Sequence, residues 1–162
     1  MIEATVLVID DDDDILLSAR LFLKQHFRQV ITCKSPKELN TLLSNHEVDI
    51  ILLDMNYQKG ASDGREGLYW LDHILSIDKD YIVILMTAYG NVELAVQAIK
   101  KGATDFILKP WENEKLFATL SSASKLRQSN KRVKKLEKIH SSLQKDISRQ
   151  FESIIGHSEP IK

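Results

Sequence analysis

Five aspartates in a row, Asp10 to Asp14, follow directly on the apolar run TVLVI at residues 5–9. Carboxylates packed this closely repel one another, and burial raises the cost of keeping each ionised. Either most of them point into water or a cation belongs among them. Three other short apolar runs end on groups that complement such a cluster: Asp54 closes DIILLD, Thr87 closes YIVILMT and Lys109 closes DFILK. Brought together, the carboxylates of Asp10, Asp11 and Asp54, one hydroxyl and one ammonium would form a pocket suited to Mg²⁺, a hard cation that takes oxygen ligands and keeps some of its water. With the cation bound, one carboxylate can attack phosphorus while charge on the phosphoryl oxygens is neutralised, and the lysine and threonine can satisfy the remaining oxygens. Phosphoryl transfer asks mainly for positioning and charge stabilisation, which these residue types supply. Asp12, Asp13 and Asp14 fit a plainer role as solvated cap and first-turn acids at the positive end of a helix.

Positioning those groups requires that the strand ends meet. The runs TVLVI, VITC, DIILLD, YIVILMT and DFILK are each of strand length. Between them, Ile15 to His26, Ser35 to Ser44, Leu68 to Ile77 and Val92 to Lys101 carry helical spacing. Ser35-Pro36 reads as a helix opening with Glu38 behind it, Asn91 as an N-cap with Glu93 in the first turn, and Gly102 as a left-handed helix stop. Five strands alternating with helices imply a parallel sheet covered on both faces, a doubly wound α/β domain over residues 1–122. In such a sheet, sites form beyond the carboxyl ends of the strands where strand order reverses, and that is where Asp10, Asp11, Asp54, Thr87 and Lys109 fall.

Composition is that of a globular chain: 43% hydrophobic residues and a net charge of -1 over 162 residues. No charged-then-apolar leader and no apolar run of membrane-spanning length is present, so a cytoplasmic protein without membrane partners is expected. The single cysteine, Cys33, lies in a strand pattern and is expected to be buried packing. His26, His46, His73, His140 and His157 lack metal-ligand spacing and are expected at the surface. The small net charge hides an asymmetry. Residues 1–124 carry 12 basic against 19 acidic side chains, whereas residues 125–150 carry 9 against 2. That shift marks a change of organisation.

The acidic pair in VIDDD, the strand-end aspartate in IILLDMN, and the phrases LMTAYG and KGATDFILKP, in this order and at these spacings, resemble the receiver domains of two-component response regulators over about the first 122 residues. The resemblance implies a flavodoxin-like sheet of order 2-1-3-4-5. It implies that Asp54 accepts a phosphoryl group from the histidine of a partner sensor kinase, and that Asp11, Asp54 and the backbone carbonyl of Asn56 hold Mg²⁺ while Asp10 acts partly through water. It also implies that Lys109 pairs with the phosphoryl group, that Thr87 swings toward it with Phe106 moving inward in step, and that the Lys109-Pro110 bond is cis. The chain departs from the family pattern after Asp54. Gln58 stands where a proline is usual, and if Gly67 is the matching glycine, the loop over residues 57–66 is lengthened, whereas matching Asp63-Gly64 needs a smaller insertion. Asn56 and Tyr89 would shape water access to the site.

Beyond Asn113 there is no glycine until Gly156 and no proline until Pro160, so the last helix can run on. Leu126, Val133, His140 and Ile147 lie seven apart, and Leu136 and Leu143 fill part of a second heptad position that Ser129 and Gln150 interrupt. Residues 123–151 therefore read as a helical linker that forms a homodimer by coiled coil. Its positive charge comes without aromatic interleaving or a helix-turn-helix pattern, so a charged linker face is expected rather than a nucleic-acid surface. The closing stretch FESIIGHSEPIK is similar to the opening of the AAA+ ATPase module of sigma-54-dependent activators, making residues 152–162 the start of a truncated domain. DNA and sigma-54 RNA polymerase would then be partners only of segments outside this chain. No Walker A motif is present, and no independent enzymatic turnover is expected. The rival readings are a stand-alone receiver acting by docking and a Mg²⁺-dependent phosphohydrolase. Met55 and Asn56, following Asp54, offer no second acid for the latter.

Overall fold

The structure, a computed structural model, describes residues 1–55, 65–88 and 91–158. Its elements alternate as expected: β1 (Ile2–Ile9), α1 (Asp13–Leu23), β2 (Phe27–Cys33), α2 (Leu39–Asn45), β3 (Ile50–Asp54), α3 (Arg65–Ile77), β4 (Ile82–Ala88), α4 (Val92–Lys101), β5 (Asp105–Lys109) and α5 (Asn113–Ser158). The five strands form one parallel sheet of order β2-β1-β3-β4-β5. Strand order reverses between β1 and β3, and the ligand-binding crevice of such a sheet lies there.

Alternation along the strands sorts the core into two layers. Val6, Val8, Ile50, Leu52, Ile84 and Met86 face α1 and α5, and pack on Leu16, Ala19, Leu116 and Leu120. Leu7, Ile9, Ile51, Leu53, Val83 and Leu85 face the other way, onto Leu39, Leu71, Ile74 and Ala98. With both faces covered, strands cannot alternate apolar and polar residues, and IILL and IVIL are apolar throughout for that reason.

Several local expectations shift. α1 begins at Asp13, earlier than Ile15, because Asp12 caps it by accepting from the Asp14 N–H. It ends at Leu23 rather than His26, since Phe27 is already buried in the sheet. Ser35-Pro36 opens a 3₁₀ turn, Pro36–Glu38, that leads into α2, with Ser35 accepting from the Lys37 N–H. Asn91 occupies the N-cap position of α4 without a capping bond. Its ψ of 47° lies outside the extended conformation that aims a cap side chain at the first turn. Gly102 ends α4 at φ 116°, a region only glycine enters cheaply. The Lys109-Pro110 bond is cis.

Two of the surface histidines are partly covered: His26 is half-buried between Phe22 and Phe117, with ring centroids 5.0 and 4.6 Å away. His73 is half-buried too, its Nε2 2.8 Å from Asn40 Oδ1. Gln58 and residues 159–162 lie outside the described residues, as do the side chains of residues 153–158. No helix among the described residues is long and apolar enough to cross a membrane.

The chain divides into two compact units, Met1–Arg127 and Gln128–Lys162. The first holds the sheet and its helices. Within it, Arg127 anchors the end of its share of α5: the guanidinium donates to the Asp80 carbonyl at 3.1 Å and lies 5.5 Å from the Tyr81 ring centroid. In the second unit, Val133, Leu136, Ile139, Leu143 and Ile147 are all exposed on α5.

Candidate functional site

Register decides which strand-end residues meet. Ile9 pairs with Leu53, Asp54 with Met86, and Thr87 with Leu108. Asp10, one step past β1, therefore arrives beside Asp54, and Lys109, which pairs with Ala88, ends the far strand at the same level. By alternation, Asp10, Asp54 and Lys109 continue the series that faces α1 and α5.

Side-chain geometry agrees with that register. Lys109 Nζ donates to Asp10 Oδ2 at 2.6 Å and to Asp54 Oδ1 at 3.0 Å, bridging the two carboxylates. Oxygens of Asp10, Asp11 and Asp54 all lie within 4.8 Å of one another. Asp10 is fully buried and Asp54 nearly so, while Asp11 is exposed. An all-oxygen, acidic donor set with one ligand open to solvent fits a hard divalent cation that retains water.

Burial pushes the Asp10 carboxyl above its ordinary pKa, with Asp11 adding to the rise. The Lys109 ammonium and the Asp12 N–H, which donates to Asp10 Oδ1 at 2.9 Å, offset part of it. For Lys109, burial works against the ammonium, but Asp10 and Asp54 outweigh it and hold the pKa above the usual lysine value. The charged form of the lysine is thus held in place between two acids. Asp12 was read from the sequence only as a helix cap; its backbone also orders the buried acid, a role that burial alone reveals.

Thr87 and Phe106 belong to the opposite face of the sheet. Thr87 continues the series of Val83 and Leu85, and Leu85 pairs with Phe106, so the hydroxyl-bearing residue and the ring are diagonal neighbours on β4 and β5. Thr87 is buried, and its hydroxyl donates to the Ala88 carbonyl at 3.4 Å. Phe106 is half-buried against the layer that contains Leu85 and Ala98. Asn56 and Tyr89 lie outside the described residues.

Gly67, read from the sequence only as the glycine after the loop, gains a packing role, and a second feature had no sequence signal. Gly67 is buried in α3, which starts at Arg65, inside the loop expected over 57–66, and its N–H donates to the Met55 carbonyl at 3.0 Å. A Cβ there would lie 2.6 Å from Met55 Cα, so only glycine lets α3 close against the residue following Asp54. A groove of about 790 Å³ beside Lys109 is lined by Ile15, Ser18, Phe22, Pro110 and Trp111. Ile15, Ser18 and Phe22 lie on α1, a long way in sequence from Pro110 and Trp111, and only the fold joins them.

Comparison with known proteins agrees with the fold. Residues 6–121 match the family model described as the response regulator receiver domain. The chain is 31% identical over 121 residues to the response regulator protein PilR of Pseudomonas aeruginosa, covering 75% of this chain and 26% of that protein. It is 32% identical over 123 residues to the C4-dicarboxylate transport transcriptional regulatory protein DctD of Rhizobium meliloti, covering 76% and 26%. The chain thus spans about a quarter of the length of these relatives. Among solved structures, the N-terminal signal receiver domain of a two-component response regulator from Bacteroides fragilis superposes with a TM-score of 0.68 at 42% identity, covering 75% of this chain and 97% of that one. NtrX from Brucella abortus, in complex with ADP, gives a TM-score of 0.74 at 28% identity, covering 83% and 30%.

Proposed function

The chain belongs to the response regulator receiver domain family, and we propose on that premise that Asp54 is the carboxylate that takes a phosphoryl group from a histidine of a partner sensor kinase. The observation that carries this reading is the convergence of Asp10, Asp11 and Asp54 within 4.8 Å, with Lys109 bridging two of them. Mg²⁺ held by Asp10, Asp11, Asp54 and the backbone carbonyl of Asn56 would neutralise charge on the phosphoryl oxygens. An Asp54 carboxylate oxygen attacks phosphorus, the bond from phosphorus to the kinase imidazole nitrogen breaks, and the imidazole takes up a proton. Lys109, already charged and aimed at Asp54, then pairs with a phosphoryl oxygen. Thr87 supplies a hydroxyl to another, and Phe106, its neighbour on the same face, turns inward with it. The groove along Ile15, Ser18, Phe22 and Trp111 lies next to Lys109 and supports the approach of a kinase from the α1 side.

Downstream of the site, the reading extends to the linker. Residues 1–122 form the receiver, 123–151 a linker helix that dimerises, and 152–162 the start of an AAA+ module of a sigma-54-dependent activator. The greater length of the relatives supports further segments beyond this chain, and the name of DctD as a transcriptional regulatory protein supports a role in transcription. DNA and sigma-54 RNA polymerase would be contacted by segments beyond this chain, and the receiver would act in the cytoplasm without enzymatic turnover of its own.

The test is incubation with Mg²⁺ and acetyl phosphate. One acid-stable, base-labile phosphate per chain is expected, absent from Asp54→Asn and from samples treated with chelator. Equal labelling of Asp54→Asn would overturn the assignment. Product release over many turnovers from varied phosphomonoesters would make the chain a hydrolase instead.

A further inference from the structure

Val133, Leu136, Leu143 and Ile147 of α5 are 50 to 65% exposed, and their spacing places them on one stripe. In heptad terms Val133, His140 and Ile147 take the a position, and Leu136 and Leu143 take d. His140, exposed in the single chain, is the one polar residue among these five. Flanking positions bear on the partner. In a parallel, in-register pair, g of one chain approaches the following e of the other, so Arg132 of each chain meets Glu137 of its mate with opposite charge. The stripe therefore suits a second copy of this chain.

In that arrangement, a-position side chains face each other across the axis. The surroundings of His140 would be the second copy's Leu136, Ile139, His140 and Leu143, and on its own helix Glu137 lies one turn before it. The only titratable group facing each imidazole from the second copy would be the other imidazole. Two imidazolium ions enclosed by apolar side chains repel and are poorly hydrated, whereas in the separated chains each His140 is open to water. Glu137 lies on the same helix in both states and does not remove the difference.

We propose that His140 makes the linker dimer pH-sensitive, the dimer forming when both imidazoles are neutral and separating when they take up protons. This rests on the reading of the linker as a dimerising helix. Histidine is the side chain that changes charge between pH 5 and 8, so two protons taken up on dissociation weaken the dimer about 100-fold between pH 7.5 and pH 5.5.

Sedimentation equilibrium of the 162-residue chain across that range tests it, alongside His140→Leu and His140→Lys. The wild-type dissociation constant should rise about 100-fold toward pH 5.5. His140→Leu should dimerise more tightly and lose most of this dependence, and His140→Lys should be as weak at pH 7.5 as the wild type at pH 5.5. Equal pH dependence in wild type and His140→Leu would overturn the role of His140 while leaving the dimer standing. A wild type and a His140→Leu variant both monomeric at pH 7.5 would overturn the dimer and the pH switch with it.

Discussion

Charge at the rim of this sheet is managed one side chain at a time. Asp10 is the costliest group, fully buried between a like charge at Asp11 and the ammonium of Lys109, and its neighbours are arranged to offset that cost. Cys33, at the end of β2, has a plainer but testable electrostatic setting. Its Sγ lies 2.9 Å from the Ser35 carbonyl and 3.0 Å from Glu38 Oε2, and burial, then the bond to Glu38, push the thiol up to about 11. An acid whose folded pKa is raised leaves stability untouched at lower pH. It costs stability as pH climbs past the unfolded value near 9, because the unfolded chain then releases the proton first. Urea denaturation from pH 7 to 10.5 should show the wild type losing about 2 kcal/mol or less on this account, with Cys33→Ala showing a smaller alkaline loss. An identical pH profile in the two proteins would remove the thiol from the explanation. The sequence placed Cys33 in a buried strand but could not foresee Glu38, since that contact depends on the 3₁₀ turn at Pro36 folding back over the strand end.

Among the elements, α3 packs directly against the residue that follows Asp54. Its entry over Arg65 and Glu66 leads to Gly67, whose backbone lies against Met55, directly after Asp54. A methyl group there meets main chain that cannot swing aside. Gly67→Ala should therefore destabilise the fold by about 1–3 kcal/mol and weaken Mg²⁺ binding measured by calorimetry, because moving Met55 moves Asp54. Unchanged melting and unchanged Mg²⁺ affinity would show that α3 is free to shift. Helix and strand placement was readable from periodicity, as the expected α4 shows by coinciding with Val92–Lys101. Ends were less legible. The Asp12 cap moved the start of α1 and the buried Phe27 moved its finish, both through contacts that spacing does not encode.

At the scale of the molecule, the division into Met1–Arg127 and Gln128–Lys162 carries its own prediction. The first unit contains both core layers, the acidic cluster and Lys109, and Arg127 at its end is tied to Asp80 and Tyr81. A chain of residues 1–127 should fold cooperatively, accept one phosphate from acetyl phosphate with Mg²⁺, and sediment as a weaker dimer or monomer than the 162-residue chain. Loss of phosphorylation on truncation would mean that the site draws on the second unit.

The sequence alone determined the alternation of strands and helices, since apolar runs of strand length and helical spacing follow from burying both sheet faces. It also determined which chemical groups stand at strand ends, because a charged residue can terminate such a run but not interrupt it. Only the tertiary structure decided their partners. Parallel register set Asp10 beside Asp54, and alternation of side chains sent Lys109 to that face and Thr87 with Phe106 to the other. The bridge from Lys109 to two acids closes contacts 99 and 55 residues apart along the chain, and no local pattern specifies contacts at that separation.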